Sequence, residues 1–61
     1  MTLKHAQQIA RRCGISIRKT SAGDYRINFR GDPEKYAVYE NTVQDAYDTS
    51  MYMYNEKVKR R

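Results

Sequence analysis

One six-residue run constrains this chain more than any other: Tyr25-Arg26-Ile27-Asn28-Phe29-Arg30. Apolar and polar side chains alternate in it without a break, and successive residues of a strand point to opposite faces. The run therefore predicts a strand with Tyr25, Ile27 and Phe29 turned to a core and Arg26, Asn28 and Arg30 turned away from it. Such a strand needs neighbours for its backbone groups and a second layer over its apolar face. The first neighbour is upstream, where Ile15 and Ile17 alternate with Ser16 and Arg18. Ser21-Ala22-Gly23 then joins the two strands as a three-residue hairpin loop, in which Gly23 can take the positive φ that such loops need. Downstream, Gly31-Asp32-Pro33-Glu34 has the chemistry of a type I turn. A third strand is expected over Lys35–Glu40, its register left open between Tyr36/Val38 and Ala37/Tyr39 as the pair facing inward.

The covering layer comes from the two ends. Leu3, Ala6, Ile9, Ala10 and Cys13 recur at three- and four-residue spacing and predict a helix over residues 3–13, with Gln7, Gln8, Arg11 and Arg12 on its wet side. Thr2 is its expected N-cap, and Gly14 stands where a left-handed residue ends helices without steric cost. At the other end, Thr42-Val43-Gln44-Asp45 sets a hydroxyl at N-cap and an acid three residues on, a capping-box-like start. The second helix should run from there to about Lys59, with Val43, Ala46, Tyr47, Met51, Tyr54 and Val58 as its apolar stripe. The expected fold is a single α+β domain over residues 1–61: helix, three-stranded antiparallel sheet, helix. Both helices lie on one face of the sheet, and the other face is open to water.

Size limits how stable such a domain can be. A chain of 61 residues buries only about 60% of the surface its unfolded form exposes. Natural scaffolds this small often add a disulfide, a metal or a second subunit. Cys13 is the single cysteine, so no disulfide forms within the chain, and with His5 as the single histidine a four-ligand zinc site lacks donors. No metal or other cofactor is expected, which leaves tight packing or a homodimer. The opening residues carry no apolar core of a leader and no run long enough to span a membrane, so the chain reads as soluble and cytosolic, in keeping with its lone thiol.

Charge then narrows the partner. Residues 1–35 hold eight basic side chains against three acidic ones, residues 36–56 hold only Glu40, Asp45, Asp48 and Glu56, and the last five residues return to basic. Segregation of this kind directs polyanions to one part of a surface. The outward positions of the strands concentrate it: Arg18, Arg26, Asn28 and Arg30, with Ser16 and either Tyr36 or Tyr39. Arg can bond guanine or phosphate through two N–H groups and Asn can bond adenine, with same-face neighbours about 7 Å apart along a strand. Nucleic acid is accordingly the first partner class, on one condition: the arginine-bearing side of the sheet must be uncovered.

Two families share parts of this pattern. Residues 15–54, about two-thirds of the chain, resemble the three-stranded-sheet-plus-helix DNA-binding domains of phage integrase arms and plant ethylene-response factors. Arg18, Arg26 and Arg30 on the sheet and Thr42-Val43-Gln44-Asp45-Ala46-Tyr47 at the helix start carry the likeness. It implies docking of the sheet in a DNA major groove, although a helix before the sheet departs from that pattern. The full element order is similar instead to double-stranded-RNA-binding domains. Here Ser21-Ala22-Gly23 is short for that family's strand-connecting loop, and Asp45 stands where it has lysines. The size and pattern are also similar to small phage-encoded accessory proteins.

A second partner class, a protein target for an inhibitor or adaptor, is suggested by Met51-Tyr52-Met53-Tyr54. Consecutive helical positions cannot all face one core, so Tyr52 and Met53 are the candidate protein-contact residues. The basic end Lys57–Arg61 reads as a dipole-compensating terminus that could also touch phosphate. Catalysis lacks an inventory. His5 has no acid or nucleophile partner in view, Cys13 falls on an apolar stripe, and no phosphate-binding loop or paired carboxylates are present. The chain is expected not to be an enzyme.

Overall fold

A computed structural model describes residues 1–59; Arg60 and Arg61, the end of the basic tail, lie outside the described residues. The elements are α1 (Leu3–Arg12), β1 (Ile15–Lys19), β2 (Tyr25–Phe29), a 3-10 turn (Glu34–Tyr36), β3 (Val38–Glu40) and α2 (Val43–Lys59). The sheet is an antiparallel meander in the order β1-β2-β3. Among the described residues no helix is long and apolar enough to cross a membrane.

Local chemistry sets the boundaries. Thr2 Oγ1 accepts from the His5 N–H at 3.1 Å and starts α1. The helix stops one residue earlier than its periodicity suggests, because Cys13 leaves helical backbone and Gly14, at φ +76°, turns the chain into β1. The hairpin closes as expected, with Gly23 at φ +95° and the Thr20 N–H donating to the Asp24 carbonyl at 2.8 Å. The Thr20 hydroxyl also bonds the Asp24 carboxylate. At the start of α2, Thr42 Oγ1 accepts from the Asp45 N–H at 3.1 Å.

The third strand is shorter than expected. Residues 34–36 coil into the 3-10 turn, whose closing bonds run from the Tyr36 N–H to the Pro33 carbonyl and from the Ala37 N–H to the Glu34 carbonyl. The N–H groups of Tyr36 and Ala37 are thereby spent before they can join the sheet, and only Val38–Glu40 pair with β2. The open register resolves with Val38 beside Ile27 and Tyr39 beside Arg26.

Ala6 and Ala10 of α1, Ile15 and Ile17 of β1, Ile27 of β2 and Ala46 of α2 form one buried cluster, so both helices cover the same face of the sheet. Small residues dominate the helical side of this core. That lets the helices lie close, and it changes the stripe read from the sequence. After Tyr47 the inward face of α2 passes through Ser50, which is 0% exposed, and Met53, while Tyr54 and Val58 are exposed. Ser50 is tolerated there because its hydroxyl donates to the Tyr47 carbonyl at 2.7 Å and leaves no polar group orphaned.

Candidate nucleic-acid interface

Strand parity decides what each face and edge presents. The Arg30 N–H donates to the Gly14 carbonyl and the Thr20 N–H to the Asp24 carbonyl. Even-numbered residues of β1 and β2 therefore spend their backbone on each other, and odd-numbered residues of β1 turn their backbone to the outer edge. Side chains follow the register: Ser16 lies opposite Asn28, and Arg18, Arg26 and Tyr39 form a row across all three strands on the face away from the helices. Ser16, Arg18, Arg26, Asn28 and Arg30 border one shallow depression on that face. The structure thus gathers all four residues that the sequence nominated.

Two of the four are not available as expected. The residues that follow β2 fold back over the open face, and Asn28 fastens them there. Its Nδ2 donates to the Asp32 carbonyl at 3.3 Å and to the Pro33 carbonyl at 3.1 Å. Asn28 is only 8% exposed, and its Oδ1 is buried without a partner. Flipping the amide would not help, since it would set Oδ1 against two carbonyl oxygens. An Asn whose donors are both spent cannot read an adenine edge, and that expectation for Asn28 is corrected. Arg26 is engaged as well: its Nη1 is 3.3 Å from Glu34 Oε1 on the 3-10 turn. Both side chains remain partly exposed, so the pair is worth no more than about 1 kcal/mol.

The condition of an uncovered face is therefore met at Arg18 and Arg30 and fails at Asn28. The turn covers Asn28 and engages Arg26, while Arg18 and Arg30 stay exposed, with no carboxylate within 4.0 Å of either among the described residues. They gain a companion that sequence reasoning assigned to plain solvent. Arg11, on α1, lines a second depression together with Gln7, Ile15, Ser16, Arg18 and Arg30, where α1 runs beside the outer edge of β1. Gln7 fixes that arrangement, because its Nε2 donates to the outward-turned Ile17 carbonyl at 2.8 Å. The signal was present in the sequence: Gln7 and Arg11 are four residues apart and share a helix face. What the pattern did not say is that this face meets the sheet edge.

The nominated protein-contact pair separates too. Tyr52 is 66% exposed, whereas Met53 is partly buried and packs against the core. Both border a groove with Phe29, Glu56 and Lys57. Lys57 of the basic tail is held there, its Nζ 4.5 Å from the centre of the Phe29 ring. Elsewhere, His5 is exposed and Cys13 is partly buried against the core.

No protein family, curated protein or solved structure matches this chain.

Proposed function

We propose that this chain is a non-catalytic, cytosolic binding domain that grips nucleic acid, DNA in the first instance, through Arg11, Arg18 and Arg30. One observation carries the reading. Three guanidinium groups, from α1, β1 and the residue that follows β2, surround one sheet edge, and none has a carboxylate within 4.0 Å among the described residues. A guanidinium fork matches the spacing of two phosphate oxygens, and three forks held by folded elements match a run of phosphates. Arg26, paired with Glu34, stands outside this set until that carboxylate is removed.

The state of Asn28 sharpens the proposal. Phosphate contacts position a protein on nucleic acid and base contacts specify sequence. With the Asn28 donors spent on the loop, the remaining set is of the positioning kind, so binding is expected to be indifferent to sequence. Duplex RNA is the less favoured target, given the short hairpin loop and the acidic start of α2.

The test is a salt series of binding to two unrelated DNA duplexes. Three neutralised phosphates give a slope of log affinity against log salt of roughly −2.7, at about 0.9 per phosphate. Both duplexes should bind alike. Absence of binding at low salt would remove the proposal, and a strong preference for one duplex would remove the claim about Asn28.

The protein-binding alternative rests on Tyr52, which stands exposed beside the Phe29 groove. It requires Tyr52→Ala to abolish capture of a specific protein without altering the fold.

A further inference from the structure

The sheet has a second outer strand, and its edge is of a different kind. Val38 pairs with Ile27 and Glu40 with Tyr25, and the odd-numbered residues of β2 are those whose backbone turns away from β1. Val38 and Glu40 therefore spend their backbone groups on β2, and the N–H and C=O of Tyr39 point outward, with no backbone partner among the described residues. The side chains around them are apolar and uncovered: Tyr36 is 61% exposed, Tyr39 47% and Val38 38%. The charged groups beside this edge are already engaged. Glu34 pairs with Arg26, the Glu40 carboxylate accepts from the Thr49 hydroxyl at 2.7 Å, and Lys35 Nζ sits 5.2 Å from the centre of the Tyr36 ring.

We propose that this edge pairs with β3 of a second copy of the chain about a two-fold axis, joining two three-stranded sheets into one of six strands. A two-fold interface must be self-complementary, and the backbone here is. With the axis beside Tyr39, its N–H donates to the carbonyl of the second copy's Tyr39 and its carbonyl accepts in return. The Asn41 N–H then meets the Ala37 carbonyl of the other copy. The reverse bond cannot form, because the Ala37 N–H is held by the Glu34 carbonyl at 2.9 Å.

With Glu34, Glu40 and Lys35 engaged within the chain, the edge presents no free charge to select an oppositely charged foreign strand and none to oppose its own copy. Each chain carries a net charge of +5, so two copies must meet where that excess is smallest. The cluster of Arg11, Arg18 and Arg30 borders the opposite edge of the sheet. Pairing through β3 leaves the two clusters five strand spacings apart, about 24 Å. A second copy also supplies the burial that a core of three isoleucines and several alanines lacks. The inference stands apart from nucleic-acid binding, since it needs no polyanion.

Sedimentation equilibrium of the full chain over a concentration series tests it, with Tyr39→Lys and Tyr52→Ala run alongside and circular dichroism as the check on folding. The wild type is expected to dimerise as concentration rises. Tyr39→Lys, which sets two like charges across the axis, should raise the dissociation constant about tenfold or more, and Tyr52→Ala should leave it unchanged. Should Tyr39→Lys fail to fold, Tyr39→Glu sets the same like-charge pair across the axis with the opposite sign and is read in the same way. A wild type that stays monomeric overturns the proposal and leaves the edge to a different protein or to none. A dimer that survives the Tyr39 substitutions, or is lost with Tyr52→Ala, overturns it by placing the contact elsewhere.

Discussion

The two edges of this sheet are built on opposite principles. At β1 the outward Ile17 carbonyl is occupied by Gln7, and Arg11, Arg18 and Arg30 surround the strand with exposed positive charge. At β3 the outward groups of Tyr39 have no backbone partner among the described residues, and the neighbouring side chains are tyrosine and valine. Exposed edges invite strand pairing, and proteins block it with charge and with covering side chains. By that standard β1 is closed to a strand and suited to an anion, while β3 is suited to a strand and offers an anion little. A sheet of three strands can thus hold two surfaces of different chemistry, because its middle strand isolates one edge from the other.

The most forceful way to break this contrast is to strip the charge from the first edge. Replacing Arg11, Arg18 and Arg30 together with Ala should lower duplex affinity at low salt on the order of a hundredfold and flatten the salt dependence, with self-association at β3 unaffected. Binding titrations and sedimentation of the same sample read both halves.

Asn28→Ala comes next, since it cuts both bonds that fasten the loop leading into β3. Stability should fall by about 1–3 kcal/mol, measured by urea denaturation, and dimerisation should weaken because Tyr39 loses its fixed position. An unchanged midpoint would mean that the loop holds its place without the amide.

Gln7→Ala opens the guarded edge by releasing the Ile17 carbonyl. The expected cost is about 1 kcal/mol, with a new, weaker mode of association in sedimentation that Tyr39→Lys does not suppress. If no such mode arises, the arginines alone suffice to keep strands away from β1.

The smallest effect is expected from Glu34→Gln, which releases Arg26. Duplex affinity should rise about two- to threefold and the salt slope should steepen by about 0.9, with stability changed by less than about 1 kcal/mol. A slope identical to that of the wild type would show that Arg26 never reaches a phosphate.

Element order, the hairpin and the shared helical face were legible because each rests on a period or a turn residue that the chain displays openly. Ile15, Ile17 and Ile27 declare themselves by alternation, and Thr2, Gly14, Gly23 and Thr42 by the backbone they favour. The rest depended on where a side chain ends up rather than on what it is. Alternation marks Asn28 as outward, and it is outward, but alternation does not reveal that the next loop folds back over it. The α2 stripe went astray at one step: a hydropathy pattern prefers Met51 to Ser50, while close helix packing prefers the smaller residue and its neighbour's carbonyl satisfies the hydroxyl. Arg11 was read as a solvent-side cation because one helix's periodicity carries no news of the strand beside it.

Gly14 ends α1 and also accepts the Arg30 N–H at 2.9 Å as the first rung between β1 and β2. Helix phase and strand register are thereby locked together at one residue, with no slack between them. Adding a single residue at this junction would swing Arg11 by about 100° around the helix axis while Arg18 and Arg30 stayed where they are. The arginine cluster behaves as a gauge of fixed width, which tolerates substitution at its tips far better than any change in the length of the joint that sets it.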